Sequence, residues 1–247
     1  MTKIPKHGGA GPDAGARQLK VRVKSIKKRT LASRRWLERQ LNDPYVTAAK
    51  REGMRSRAAY KLSELDDRLK FLKPGQRVID LGAAPGGWSQ IAAERVHATP
   101  LLGEKGQVVA IDISAMEAIP GVEILHLDFM AEDAPAKLIA LLRGHKADVV
   151  LSDMAAPASG HTRTDHLRIM GLAEAAGTFA TEILAPGGIF IAKVLLGGTE
   201  KELLNLLKRD FAVVKHVKPP ASRADSAELY VVATGFRGTG GETGGVE

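Results

Sequence analysis

Two hydrophobic periods divide the chain. Between Ser33 and Leu69 apolar positions recur at helical spacing; from Gln76 onward, short apolar runs alternate with longer amphipathic stretches. In the first part, Trp36, Leu37, Gln40 and Leu41 fall on one side of a helix that Asn42-Asp43-Pro44 breaks, because proline cannot continue it. A second helix is predicted over about 45–53. A third is predicted over about 56–69, with Ala59, Leu62, Leu65 and Leu69 on one face, and Lys73-Pro74-Gly75 stops it. Beyond that point the runs at 76–81, 107–112, 122–127, 147–152 and 188–194 read as strands, with two more near 211–217 and 228–235. Helices are expected at 87–96, 132–143, 164–184 and 199–209. Strands that alternate with helices imply βαβ units and an α/β fold with a parallel sheet, and near-continuous apolar strands agree because parallel strands are buried on both faces. The closeness of the last two strands predicts an antiparallel pair at one edge.

The length, 247 residues, suits one large domain or one domain with an appendage. A chain this long buries about 70–75% of its unfolded surface, so it needs no staples. Cysteine is absent, which excludes disulfides, thiolate nucleophiles and Cys-ligated zinc, and fits a reducing compartment. No apolar run reaches the ~20 residues of a membrane helix. The opening MTKIPKHGGAGPDAGARQ has no apolar core behind its positive residues, so it does not read as a secretory signal. A soluble, cytoplasmic protein without a membrane partner is the expectation.

Charge changes the picture. The formal net charge of +8 is uneven: residues 1–39 carry +10, residues 40–61 carry +3 and the remainder −5. The basicity therefore sits in an N-terminal arm on a mildly acidic body. A clustered positive segment attracts a phosphate backbone through Coulomb steering and counterion release, so nucleic acid is the expected partner. The expected organisation is a basic, Gly-rich, disordered arm over 1–32, one catalytic domain over 33–237 and a loose tail over 238–247.

The sharpest local signal is Asp80-Leu81-Gly82-Ala83-Ala84-Pro85-Gly86-Gly87-Trp88, which follows a strand and opens a helix. Doubly wound folds bind cofactors there, at the carboxyl ends of the strands. The spacing is not G-x-G-x-x-G and no Gly-Lys-Ser/Thr follows, which disfavours a dinucleotide or P-loop phosphate cradle. Asp112 ends the second strand, where an acid commonly accepts from a ribose diol. Asp128 follows the third strand on the same rim, suited to an adenine amino group. Acids at three consecutive strand ends, Asp80, Asp112 and Asp128, favour a cofactor with a nucleoside part, and without a phosphate loop S-adenosylmethionine is the best fit.

Several separated motifs, in order, now carry a resemblance. They are Arg55–Leu62 (RSRAAYKL), Asp80–Gln90 (DLGAAPGGWSQ), Ser152–Ala155 (SDMA), Leu184–Gly188 (LAPGG) with Lys193-Val194, and Ser222-Arg223 with Glu228–Ala233 (ELYVVA). Over about 33–236 the chain resembles the FtsJ/RlmE family of ribosomal RNA ribose 2′-O-methyltransferases. That resemblance implies a Rossmann-like class I methyltransferase fold with a seven-stranded sheet carrying one antiparallel strand. It also implies a Lys-Asp-Lys-Glu catalytic set, which falls on Lys61, Asp153, Lys193 and Glu228. S-adenosylmethionine contacts would fall on Gly86, Trp88, Asp112, Asp128 and Asp153. The implied substrate is a uridine in the peptidyl-transferase region of large-subunit ribosomal RNA, presented on an assembled particle to a monomeric enzyme. After Ser152–Ala155 the chain departs from bacterial relatives, continuing Ala156-Pro157-Ala158 where they often have Pro-Asn directly.

The residue types suit that chemistry. A ribose hydroxyl is a poor nucleophile, so a base must loosen its proton while oxygen, methyl carbon and sulfur are aligned. Lys193 interrupts an apolar strand, where a lysine is costly unless it has a task or a partner. It is read as the base, with Asp153 orienting it and Lys61 and Glu228 positioning the ribose. The seven histidines show no metal-ligand spacing, so no metal is expected. The rivals are a non-catalytic RNA-binding ribosome-assembly factor on the same fold, against which all four filled positions argue, and an NAD-dependent oxidoreductase, against which the glycine spacing argues.

Overall fold

The computed structural model describes residues 31–99, 105–157, 159–196 and 201–238; nearly all of the expected arm, and the tail beyond Gly238, lie outside the described residues. The Asn42-Asp43-Pro44 break that ends α1 (Leu31–Leu41) also starts α2 (Pro44–Arg51). Proline at the first helical turn sacrifices no hydrogen bond. The Asp43 carboxylate caps the helix by accepting from the Tyr45 N–H at 3.0 Å. Helix α3 (Ala58–Leu69) buries Ala59, Leu62 and Leu65, the predicted face.

The remaining order is β1 (Arg77–Leu81), α4 (Gly87–Arg95), β2 (Gln107–Asp112), β3 (Val122–His126), α5 (Ala134–Leu141), β4 (Ala147–Ser152), α6 (Thr162–Ile183), β5 (Leu184–Leu195), α7 (Lys201–Asp210), β6 (Phe211–Val217) and β7 (Glu228–Phe236). The seven strands form one sheet in the order β3-β2-β1-β4-β5-β7-β6. Strands β1 to β5 pair in parallel, and β7 runs antiparallel to both β5 and β6. The expected antiparallel edge pair is therefore present, and β7 is the single reversed strand.

Alternating residues of each strand feed two cores. Ile79, Leu81, Val109, Ile111 and Phe190 pack with α5, α6 and α7 on one face. Val78, Val108, Val149, Ile191 and Tyr230 pack with α3 and α4 on the other. This is a three-layer, Rossmann-like α/β fold. Among the described residues no helix is long and apolar enough to cross a membrane.

One boundary differs from the sequence reading. β5 begins at Leu184 rather than at Gly188, and its register against β4 shifts between Ala147↔Leu184 and Val149↔Ile189. Ala185-Pro186-Gly187-Gly188 is bulged into the strand, and a period-two reading does not extend through an irregular insertion.

The reversal of β7 has a direct consequence for chemistry. Its first residues lie beside the last residues of β5, with Lys193 paired to Tyr230 and Leu195 to Glu228. Residues 33 to 37 apart in sequence thus meet at the same sheet edge as the carboxyl ends of β1, β2 and β4.

Candidate active site

The turn between β1 and α4 is hooked onto β2. The Gly82 and Ala83 N–H groups both donate to the Ile111 carbonyl, at 3.0 and 3.1 Å, and the Ala84 N–H donates to Asp112 Oδ2 at 2.9 Å. Gly82 has φ +73°, and a Cβ there would lie 2.8 Å from Met154 Cα and 2.9 Å from Met154 N. Gly86 has φ +105°, and its Cβ would meet Ile119 Cδ1 at 2.6 Å and Arg55 Cδ at 3.0 Å. Both positions need glycine for conformation and for space. The Arg55 guanidinium clamps the outer side of the turn, donating to the carbonyls of Pro85, Glu117 and Ala118.

The rim acids separate into two kinds. Asp112 sits at the mouth of the sheet, its Oδ1 accepting from the Ser114 N–H at 2.7 Å. Asp128 is exposed beyond β3, capped by the Met130 N–H at 2.9 Å. Asp80, grouped with them by sequence, is fully buried instead. Its Oδ2 accepts from the Ser89 hydroxyl at 2.6 Å, and its Oδ1 is buried with no partner in the protein. Burial, opposed by Ser89 and reinforced by the charges of Asp153 and Asp112, pushes its carboxyl up to about 7.

That shift has a sign that can be measured. Between the unfolded carboxyl range near 4 and about 7 the native state binds more protons than the unfolded state, so Asp80 makes stability fall as pH rises through this window. Asp80→Asn keeps an acceptor for Ser89 and carries no charge. We expect it to be more thermostable than the parent above pH 7, with the advantage shrinking toward pH 4 at up to about 1.4 kcal/mol per pH unit. Parallel melting curves would refute this if the difference were independent of pH.

Two ion pairs lie at the β4–β5–β7 edge. Lys193 Nζ donates to the Asp153 carbonyl at 2.6 Å and to Asp153 Oδ1 at 3.1 Å. Lys61 Nζ, from α3, is 2.6 Å from Glu228 Oε1. Both lysines are buried, at 9% and 7% exposure. Burial resists ionisation of Asp153, but the cations of Lys193 and Lys61 with the Tyr230 hydroxyl outweigh it and hold the carboxyl below its ordinary value.

Tyr230 ties the pairs together. Its hydroxyl donates to Asp153 Oδ1 at 2.8 Å and lies 3.4 Å from Glu228 Oε1. Burial and the two neighbouring carboxylates raise its pKa well above that of free tyrosine, so it stays a donor. Its ring is 5.8 Å from Lys61 Nζ and 5.4 Å from the Trp88 ring. Ser222 adds a bond to Glu228 Oε1 at 2.9 Å. Sequence reading gave Tyr230 and Ser222 no role. The available signal was a tyrosine two residues after Glu228, hence on the same strand face, within an otherwise apolar strand whose burial obliges the hydroxyl to find a partner.

Of the expected site residues, Lys61, Asp153, Lys193 and Glu228 meet at this edge, whereas Gly86, Asp112 and Asp128 lie along the carboxyl ends of β1, β2 and β3, and the indole of Trp88 is not available as a ligand surface. Trp88 is 2% exposed and its Nε1 donates inward to the Ala58 carbonyl at 2.9 Å. It lies in the first turn of α4, where main-chain N–H groups lack helical partners, so it offers a ligand its backbone rather than its ring. Beside Lys61 and Glu228 opens a cleft of about 250 Å³ that Arg39, Arg57 and Arg223 also line. Among the described residues no three His, Asp or Glu side chains group as metal ligands.

Comparison with known proteins gives this geometry a context. A match to the FtsJ-like methyltransferase family covers residues 54–236. The chain is 60% identical over 245 residues to the ribosomal RNA large subunit methyltransferase E of Parvibaculum lavamentivorans, with 96% of each chain covered. It is 61% identical over 238 residues to the protein of the same name from Xanthobacter autotrophicus, covering 96% of this chain and 90% of that one. Among solved structures, a Plasmodium falciparum protein described as a ribosomal RNA methyltransferase aligns with TM-score 0.66 and 33% identity, over 75% of this chain and 100% of that one.

Proposed function

The chain belongs to the FtsJ-like methyltransferase family, and from that membership we propose that it methylates a ribose 2′-hydroxyl of large-subunit ribosomal RNA with S-adenosylmethionine, at a uridine of the peptidyl-transferase region in the assembled particle. The observation that carries the reading is the joined set Lys61–Glu228 and Lys193–Asp153, bridged by Tyr230 beside the glycine turn. The basic N-terminal arm would add contacts to RNA phosphates.

The residues present fit the cofactor. Gly82 and Gly86 leave a cradle that side chains would fill. Asp80 Oδ1 is an acceptor that the protein leaves unused. Ile113, directly after Asp112, and Met130, two residues after Asp128, are 69% and 57% exposed, and apolar side chains near these acids suit the face of a base. Bound there, S-adenosylmethionine would supply an electrophilic methyl group. Asp112 would accept from its ribose diol, and the turn and the first N–H groups of α4 would hold its other end.

Lys193, once its ammonium has given a proton to solvent, is the base that takes the 2′-hydroxyl proton; bound S-adenosylmethionine would supply the methyl group and leave as the neutral thioether. Asp153 aims Lys193 through two contacts and keeps its own charge, so it does not compete for the proton. Lys61, held by Glu228, provides a cation for the developing alkoxide. Tyr230 fixes the spacing of the two carboxylates.

Asp112→Ala is expected to lower cofactor affinity about tenfold or more, because it removes a charged acceptor worth ~1.5–3 kcal/mol. Titration calorimetry checks it, and unchanged affinity would count against the ribose assignment. The whole reading is tested by mapping ribose methylation of large-subunit ribosomal RNA in cells with and without the protein. Loss of one modified uridine supports it. RNA binding with no change in any methylation would point to an assembly factor instead.

A further inference from the structure

Asp43 is 8% exposed and stands outside the catalytic set, yet three groups converge on it. Its Oδ1 caps α2 through the Tyr45 N–H at 3.0 Å. Its Oδ2 is 2.9 Å from Arg57 Nε and accepts from Arg223 Nη2 at 3.2 Å. The Arg57 contact is an ion pair whose N–H is not aligned for a hydrogen bond. Arg57 and Arg223 come from distant parts of the chain, one ahead of α3 and one in the connection from β6 to β7, and both line the cleft beside Lys61 and Glu228.

Two guanidinium groups side by side repel, and a shared carboxylate offsets that repulsion. The arrangement is braced further. Arg57 Nη2 donates to the Ala221 carbonyl at 2.5 Å, and its guanidinium lies 5.7 Å from the centre of the Tyr45 ring. The Tyr45 hydroxyl donates to Glu64 Oε1 at 2.9 Å, and Glu64 Oε2 accepts from the Ala221 N–H at 2.6 Å. These contacts fix one edge of each guanidinium and leave Arg223 N–H groups to spare at the cleft. A planar fork with free N–H groups matches a phosphate.

We propose that Asp43 is a positioning residue for the nucleic-acid substrate: it holds Arg57 and Arg223 together at the cleft mouth so that they take a backbone phosphate of the target strand next to the nucleotide entering beside Lys61 and Glu228. This rests on the RNA-methyltransferase reading above. It differs from a purely structural role for Asp43, which the helix cap alone would satisfy, and from a competing role, in which the carboxylate occupies arginines that would otherwise bind RNA.

Asp43→Asn separates these roles, because asparagine is an equally good helix cap but has no charge for the arginines. The substrate is large ribosomal subunits from cells lacking this protein, with KM, kcat and the salt dependence of binding measured for the parent, Asp43→Asn, Arg223→Gln and the double variant. The expected result is a KM about tenfold higher with kcat nearly retained and a salt slope shallower by roughly 0.7–0.9, one phosphate contact. Cofactor affinity should stay close to that of the parent, with some loss of melting temperature from the two guanidinium groups left without their carboxylate. Arg223→Gln should raise KM similarly, and the double variant should be little worse than either, since both remove one coupled unit. Tighter RNA binding by Asp43→Asn would overturn the proposal in favour of the competing role. An unchanged KM and slope, or a parallel fall in cofactor affinity and melting temperature, would overturn it in favour of a structural one. If the parent itself transfers no methyl group to these subunits, the underlying reading fails, while the salt slopes of binding still decide the role of Asp43.

Discussion

Replacing Lys193 by alanine is expected to reduce methyl transfer at least a hundredfold while leaving most cofactor affinity in place. A positioned general base contributes about 10²–10⁴ in rate. Its loss acts on the transition state rather than on cofactor binding, so kcat and kcat/KM should fall together. Lys193 lies between the fully buried Ala192 and Val194, and its Nζ ends on two oxygens of Asp153. Removing it leaves the Asp153 carboxylate with Tyr230 and Lys61, so some loss of melting temperature should accompany the kinetic effect. The decisive variant is Lys193→Arg. Guanidinium keeps the positive charge beside Asp153 but does not give up its proton at working pH. Failure of both variants under single-turnover conditions identifies the base. Near-full transfer by Lys193→Arg would make Lys193 a positioning cation and pass the role of base to Asp153.

Gly82→Ala should damage both stability and chemistry, although it adds a single methyl group. The added Cβ would sit at φ +73°, costing about 1–3 kcal/mol by conformation alone. It would also lie 2.8 and 2.9 Å from the Met154 backbone, which cannot swing away as a side-chain tip can. Met154 directly follows Asp153, whose N–H donates to the Leu81 carbonyl at 3.2 Å. Relief of the clash therefore pushes the Asp153 segment off β1 and carries Lys193 and Tyr230 with it. The expected destabilisation is ~2–4 kcal/mol. Methyl transfer, measured well below the melting temperature, should fall more than tenfold, because a misplacement near 1 Å at a reacting centre is costly. A variant that melts early but turns over normally at low temperature would break this link between the turn and Asp153.

The fold was legible in the residues to a large extent. Every strand and every described helix is where periodicity puts it, within a few residues, because apolar runs bounded by turn residues were long enough to be unambiguous. The start of β5 was missed since Ala185–Gly188 carries no alternation for a period argument to read. The motifs also named the four charged residues, by resemblance. Periodicity alone would have left Lys61 as an ordinary solvated helix residue and Glu228 as a strand-end charge.

Features that depend on neighbours along the chain could be read directly from the residues: the elements, the βαβ order, the glycine turn after β1, the break at Asn42-Asp43-Pro44 and the concentration of basic residues before Leu62. The make-up of the site depends instead on which strand lies beside which. The reversed β7, inserted between β5 and β6, sets Glu228 and Tyr230 against Lys193, and parallel pairing of β1 with β4 sets Asp153 against the glycine turn. Burial was decided at the same level. Asp80 pairs with Ala110, two residues short of Asp112 on the adjacent strand, and it is sealed against Ser89 of α4 while Asp112 reaches the rim. A carboxylate's chemistry follows its solvation and the charges around it, and both are properties of the packed layers rather than of the chain.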